Sequence, residues 1–169
     1  VIHLVTGGAR SGKSTFALDL AERTSAPSIA FVATATPGDQ EMAERIARHR
    51  AERGPRYETV EEPLALARTL STLPHATVVV DCLTLWIANQ LFATDGDAPV
   101  ETAIAGLAAA LRATDADVIL VTNEVGLGIV PADALSRRYR DLLGRCNQRV
   151  AAVADRVTLL VAGIPLAVK

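Results

Sequence analysis

Aromatic side chains are scarce in this sequence: three Phe, two Tyr and one Trp among 169 residues. A core of stacked rings is thereby excluded. Ala, Val, Leu and Ile must fill the interior, and with half of all residues hydrophobic there are enough of them. Cysteine is scarcer still. Cys82 and Cys146 stand far apart with no metal-ligand spacing, which supports no disulfide framework and leaves each as a small buried hydrophobe. The formal net charge of -2 lacks the basic surplus of a nucleic-acid binder. No apolar run approaches the roughly 20 residues of a membrane span. The apolar opening residues carry neither a positively charged start nor a small-residue cleavage site, so no signal peptide is expected. Two unpaired, widely spaced cysteines fit residence in the cytoplasm. Internal repeats, low-complexity tracts and interdomain linkers are also missing, and the reading is one domain over residues 1–169.

What is present is an alternation of apolar runs and helical patterns. Ile2–Thr6 reads as a buried strand ending at glycines, and Lys13–Arg23 as a helix with Phe16, Ala17, Leu20 and Ala21 at helical spacing. Ser28–Ala33 reads as a second buried strand, Asp39–Arg53 as a charged helix and Arg56–Val60 as a short strand. Pro63–Leu70 is expected to be a helix, since Pro is tolerated in a first turn. Thr77–Asp81 and Asp117–Thr122 are further strands, and Leu83–Phe92 and Val100–Ala113 further helices. Thr94–Pro99 and Asn123–Pro131 read as loops. Ala132–Ala154 has a long helical pattern with an expected break near Gly144, and Arg156–Ala162 and Pro165–Val168 look like closing strands. Such an order implies an α/β fold: a mostly parallel sheet with helices on both faces.

The segment GGARSGKS follows the first strand and opens the first helix. It fits G-x-x-x-x-G-K-[ST] with Gly7, Gly12, Lys13 and Ser14 at the fixed positions. Glycines let backbone N–H groups turn inward around phosphate oxygens, and the helix presents its positive end to the same anion. Lys13 can reach the β- and γ-phosphates, and the Ser14 hydroxyl can ligate Mg²⁺. A plain Gly-rich turn is the bland alternative. The run VVVD places Asp81 at the end of a buried strand, where a Mg²⁺-organising carboxylate belongs; a helix N-cap is its bland alternative. Asn123 and Glu124 end another strand and belong on the same rim, beyond the carboxyl ends of the strands.

Of three histidines, His3 lies in the first strand, packed or at an edge, and His75 follows Pro74 in a turn, where it is expected in solvent. His49 lies in RIARHRAER, with Arg45 and Arg53 four residues to either side on one helical face. On helical pattern the cluster reads first as a solvated basic face, with a functional face as the alternative. In the second case arginines draw triphosphate oxygens and keep the imidazole neutral, which makes it a competent nucleophile toward phosphorus. Periodicity does not choose between them.

With these segments in view, the chain resembles the adenosylcobinamide kinase/adenosylcobinamide-phosphate guanylyltransferase family over nearly its whole length. The resemblance is carried by LVTGGARSGKS, FVATAT, EMAERIARHR, VVVDCLTLWIANQL, VILVTNEVGLGIVP, YRDLLGRCNQRVAAVAD and GIPLAVK. TNEVGLGIVP and GRCNQ are far more specific than a phosphate loop. The family implies a RecA-like P-loop sheet flanked by helices, a homotrimer and two reactions. A nucleoside triphosphate phosphorylates the aminopropanol hydroxyl of adenosylcobinamide. GTP then transfers GMP to that phosphate through a guanylylated histidine, giving adenosyl-GDP-cobinamide. The histidine implied is His49; some relatives have a second histidine where this chain has Arg48.

The resemblance also implies nucleotide contacts at Gly7, Gly8, Ala9, Arg10, Ser11, Gly12, Lys13 and Ser14. Further contacts fall at Thr34, Ala35 and Thr36, at Arg50, Ala51, Glu52 and Arg53, and at Glu61 and Asp81. Relatives often have a short Gly-containing turn after the histidine, whereas this chain has RAERGP. Lys13 and His49 are the implied catalytic pair, with Ser14 and Asp81 toward Mg²⁺. GTP, ATP, adenosylcobinamide and its phosphate are the expected partners, with no nucleic acid and no membrane span. Asp81 and Glu124 are candidate general bases by location alone. Trp86 is expected in the core rather than against the corrinoid. Two other readings use the same loop, a small P-loop metabolite kinase and a RecA-type regulatory ATPase, and neither needs His49. A family member retaining only guanylyl transfer is a third.

Overall fold

The computed structural model describes residues 1–36 and 54–169. The sequence-predicted helix Asp39–Arg53, with His49, lies outside the described residues. Among the described residues seven strands form one sheet: β1 (Ile2–Gly7), β2 (Ile29–Ala33), β3 (Tyr57–Glu61), β4 (Thr77–Asp81), β5 (Asp117–Val121), β6 (Arg156–Val161) and β7 (Ile164–Ala167). Their order across the sheet is β3-β2-β4-β5-β1-β6-β7. Every pairing is parallel except β6 with β7. The helices of the described residues are α1 (Lys13–Glu22), α2 (Leu66–Thr72), α3 (Leu83–Ala93), α4 (Ala98–Ala113) and α5 (Ala134–Val153).

The central strands read as unbroken apolar runs because both faces are covered. Successive residues serve opposite cores. Leu4, Val32, Val78, Val80, Val118 and Leu120 pack with α2 to α5, while Val5, Phe31, Val79, Ile119 and Val121 pack with Ala17 and Ala21 of α1. This arrangement places the carboxyl ends of β1, β4 and β5 side by side, with Val5 opposite Val121 and Val121 opposite Asp81.

Several boundaries differ from the sequence reading for identifiable reasons. Helix α2 begins at Leu66 rather than Pro63. The Glu62 carboxylate accepts the N–H groups of Leu64 (2.9 Å) and Ala65 (2.7 Å), so the residues before Leu66 form a turn that leads into the helix. Burial alone would push the Glu62 carboxyl up; these bonds, the Thr69 hydroxyl and Arg68 outweigh it and hold it below its ordinary value. Helix α4 begins at Ala98, within the expected loop Thr94–Pro99, because Pro99 falls in the first turn, where no intrahelical N–H is needed. The expected break near Gly144 does not occur: α5 runs unbroken over 20 residues. A mid-helix Gly costs about 1 kcal/mol relative to Ala. Burial of Leu142, Leu143, Cys146, Asn147 and Val150 on both sides outweighs that, and Asp133 caps the start by accepting Ser136 N–H at 2.7 Å.

His75 is not solvated, as its turn suggested, but buried. The turn folds it beside β3, where its Nε2 lies 3.1 Å from Glu58 Oε2. His3 is packed, its Nε2 2.8 Å from Thr158 Oγ1 across β1 and β6. Burial, then Arg156, lowers its pKa, which keeps the ring neutral.

Trp86 is a core residue at 1% exposure. Its Nε1 donates to Leu64 O at 2.8 Å, a carbonyl also bonded by Gln90 Nε2 at 2.7 Å. Trp86→Ala is expected to destabilise the protein by ~3–5 kcal/mol, read as a lower urea midpoint; an unchanged midpoint would contradict this packing.

Candidate active site

The loop between β1 and α1 is shaped by two glycines. Gly7 has φ +151°, and a Cβ there would stand 2.6 Å from Leu160 O, a backbone atom that cannot swing away. Gly12 has φ +93° and ends the loop in the left-handed region, from which Lys13 starts α1. Phe16 N–H donates to Gly12 O at 3.0 Å. Gly8, Ala9, Arg10, Gly12 and Ser14 are exposed around the cradle, and Ser11 and Lys13 are buried.

Lys13 folds back over the loop. Its Nζ donates to Gly8 O and approaches Ser11 Oγ at 3.4 Å. Burial lowers its pKa, opposed by the nearby Cys82 and Asp81. An ammonium that has lost water and rests on neutral oxygens is poised for a stronger anionic partner. Asp81 ends β4 half-buried, close enough to Lys13 for that electrostatic influence. The adjacent Cys82 thiol is pushed up to about 11 by burial and by Asp81, so it stays protonated and is no nucleophile at neutral pH. Burial raises Cys146 to about 12, and its side chain is the inert core hydrophobe expected.

Thr34 is fully buried and faces the β4–α3 turn rather than the cradle. Its hydroxyl donates to Cys82 O (2.7 Å) and accepts from Cys82 N–H (2.8 Å), while its own N–H bonds Asp81 O (3.2 Å). The side chain therefore holds the peptide that carries Asp81. Thr34→Val leaves both Cys82 backbone groups without that partner. It is expected to cost ~1–3 kcal/mol in urea unfolding and to lower nucleotide turnover, with Thr34→Ser close to the parent in both. Ala35 is half-buried, and Thr36 and Glu61 are exposed, all at the carboxyl ends of β2 and β3.

Asn123 and Glu124 do reach the same rim. Glu124 N–H donates to Gly7 O (3.1 Å), tying the end of β5 to the start of the cradle. Asn123 N–H bonds Thr84 Oγ1 (2.9 Å), and its carbonyl accepts Asn147 Nδ2 (3.1 Å). Asn147 also accepts from the Thr122 hydroxyl at 2.7 Å. Supporting roles for Asn89 and Asn147 escaped the sequence reading. Asn89 Nδ2 bonds Thr34 O (2.8 Å) and Pro63 O (3.1 Å). A polar Asn89–Gln90 pair inside the apolar LTLWIANQLF was the available signal.

The structure thus brings together residues 7–14 and Asp81, supports them through Thr34, and sets Ala35, Thr36 and Glu61 farther along the same edge. His49, Arg50, Ala51, Glu52 and Arg53 lie outside the described residues. Among the described residues no group of three or more His, Cys, Asp or Glu could hold a metal by itself. One carboxylate at Asp81 and one hydroxyl at Ser14, beside a cradle for phosphate oxygens, is a donor set that suits Mg²⁺, which commonly takes few protein ligands and fills its shell with phosphates and water.

Comparison with known proteins agrees with this geometry. The sequence profile of a family described as cobinamide kinase/cobinamide phosphate guanyltransferase matches residues 3–168. The bifunctional adenosylcobalamin biosynthesis protein CobP of Pseudomonas aeruginosa is 46% identical, over 98% of this chain and 96% of that one. The bifunctional adenosylcobalamin biosynthesis protein CobU of Salmonella typhimurium is 42% identical, over 98% of each. Among solved structures, an ATPase of a bacterial type III secretion system superposes with a TM-score of 0.56 at 11% identity, over 95% of this chain and 51% of that one. A KaiC-like protein of Pyrococcus horikoshii gives 0.50 at 17%, over 94% and 69%. These distant likenesses speak for the fold alone, a RecA-like α/β sheet of the P-loop class.

Proposed function

The chain belongs to the cobinamide kinase/cobinamide phosphate guanyltransferase family, and from that premise we infer that it is a bifunctional enzyme of adenosylcobalamin biosynthesis. It phosphorylates adenosylcobinamide from a nucleoside triphosphate and transfers GMP from GTP to the resulting phosphate, giving adenosyl-GDP-cobinamide. The single observation that carries the chemistry is the cradle itself: a glycine-shaped loop with a desolvated Lys13 beside Asp81 at the carboxyl edge of the sheet. The residues are read as one nucleotide-binding domain, supported by the single sheet that spans the described residues.

In the kinase step, the loop amides and Lys13 hold the β- and γ-phosphates while the aminopropanol hydroxyl oxygen bonds to the γ-phosphorus. The bond from that phosphorus to the β,γ-bridging oxygen breaks, the nucleoside diphosphate leaves and the hydroxyl proton is released. In guanylyl transfer, His49 forms a bond from its ring nitrogen to the α-phosphorus of GTP, and the bond to the bridging oxygen of pyrophosphate breaks. An oxygen of cobinamide phosphate then attacks that phosphorus, and His49 departs. Lys13 and the loop amides stabilise charge on the departing phosphates in both steps. Ser14 and Asp81 would hold Mg²⁺ beside the cradle, where it would supply further neutralisation of phosphate charge. Arg50, Ala51, Glu52, Arg53, Glu61 and residues 34–36 complete the nucleotide contacts, Thr34 through the Asp81 turn. GTP and ATP are both substrates in this reading, the working assembly is a homotrimer and the compartment is the cytoplasm. No described helix is long and apolar enough to cross a membrane.

The test is direct. Purified protein with Mg²⁺, ATP or GTP and adenosylcobinamide is expected to give adenosylcobinamide phosphate and then adenosyl-GDP-cobinamide, separated by mass. Formation of the second product only from supplied phosphate would reduce the assignment to guanylyl transfer. Failure of both would remove it.

A further inference from the structure

The back of the phosphate cradle rests on the β6–β7 hairpin. Val161 pairs with Ile164, leaving Ala162 and Gly163 as a two-residue turn with φ of +50° and +83°, the signs of a type I′ turn. The Gly163 N–H points away from the hairpin and donates to Ser11 O at 3.0 Å. A Cβ on Gly12 would lie 3.5 Å from Gly163 Cα, and one on Gly7 would lie 2.6 Å from Leu160 O. The hairpin therefore touches the loop at its first glycine and again just before its last.

The second contact has a directional consequence. In a planar trans peptide, C=O and N–H point in opposite directions. With Ser11 O drawn toward Gly163, the Gly12 N–H of the same peptide is turned away from the hairpin. We propose that the Ala162–Gly163 turn is a positioning element for the phosphate loop, holding the Ser11 carbonyl so that the Gly12 amide faces the β-phosphate of a bound nucleotide. Gly163 never touches the nucleotide; it acts through the Ser11–Gly12 peptide. The proposal rests on the reading that this loop binds a triphosphate.

Among the described residues no heavy atom lies within 4 Å of a Cβ added at Gly163, so a substitution there acts through backbone conformation rather than a clash. Valine is strained at φ +83°, whereas asparagine tolerates the left-handed region. Binding of GTP and of GMP, which lacks the β-phosphate, should be measured by calorimetry on folded protein. Gly163→Val is expected to weaken GTP about tenfold, the scale of one oriented hydrogen bond, and to leave GMP within about twofold. Gly163→Asn should restore GTP binding. Gly163→Ala, a milder disturbance of the same φ, supplies the comparison if the valine variant does not fold. GTP binding unchanged in a folded Val or Ala variant, or GTP and GMP weakened alike, overturns the proposal. A parent protein that binds no GTP instead overturns the triphosphate reading on which it stands.

Discussion

Incubated with Mg²⁺ and GTP labelled at the α-phosphate, the parent protein is expected to retain acid-labile, alkali-stable label, and His49→Ala none. Loss of a covalent nucleophile typically lowers turnover by about 10³-fold or more, and guanylyl transfer by the variant should fall by at least that. The kinase step needs no histidine nucleophile, because its acceptor hydroxyl attacks the γ-phosphorus directly. Phosphorylation of adenosylcobinamide should therefore survive in His49→Ala. This split makes the experiment decisive. Label that persists on the variant assigns the nucleophile elsewhere, and equal loss of both reactions gives His49 a role in triphosphate binding instead. The neighbouring arginines, Arg48, Arg50 and Arg53, suit the proposed chemistry because positive charge disfavours imidazole protonation.

The second large effect belongs to Lys13. Lys13→Ala is expected to depress both reactions by about 10²–10³-fold, since a preorganised cation at the departing or transferred phosphates is lost from each. Lys13→Arg should not rescue, because a planar fork cannot replace a compact ammonium above Gly8 O and Ser11 Oγ. Folding stability should hold in the alanine variant, since the side chain it removes is a desolvated charge. Burial lowers the Lys13 pKa in the free protein, and phosphate raises it in the complex. Triphosphate affinity is thus fully present below the lowered value and is lost as pH rises through it. ATP is the suitable ligand for calorimetry across that range, and a flat profile in the parent would place the Lys13 ammonium away from the phosphates.

The pattern of legible and illegible features has a physical basis. The alternation of valine-rich runs with helical spacing announced a parallel sheet, because strands covered on both faces leave no polar positions. Residues 7–14 were readable because the cradle is local: glycines, lysine and serine at fixed spacing leave the chain few other conformations. Asp81 was readable as a carboxylate closing an apolar strand. Thr34 was not, because FVATAT looks the same whether its threonines face nucleotide or neighbour. Its hydroxyl is claimed by Cys82, 48 residues away, and no local pattern encodes that pairing. His75 was misplaced for a related reason: its turn is polar in sequence, yet β3 brings Glu58 against it. Gly144 was overvalued as a breaker because the buried residues on either side of it outweigh its local cost.

By itself the sequence determined the class of fold, the glycine-shaped cradle between β1 and α1 with its lysine, and the carboxylate that closes β4, since each is set by residues adjacent in the chain or by a period of two or 3.6. Only the tertiary structure decided what stands behind that cradle. Asp81 is held by Thr34, the end of β5 is tied to Gly7 through Glu124, and the Ser11 carbonyl is seated on a hairpin some 150 residues later, its donor 3.0 Å away. Those bonds join residues whose separation along the chain carries no periodic signature. They arise only when the parallel sheet sets β4, β5, β1 and β6 side by side and brings their carboxyl ends to one edge.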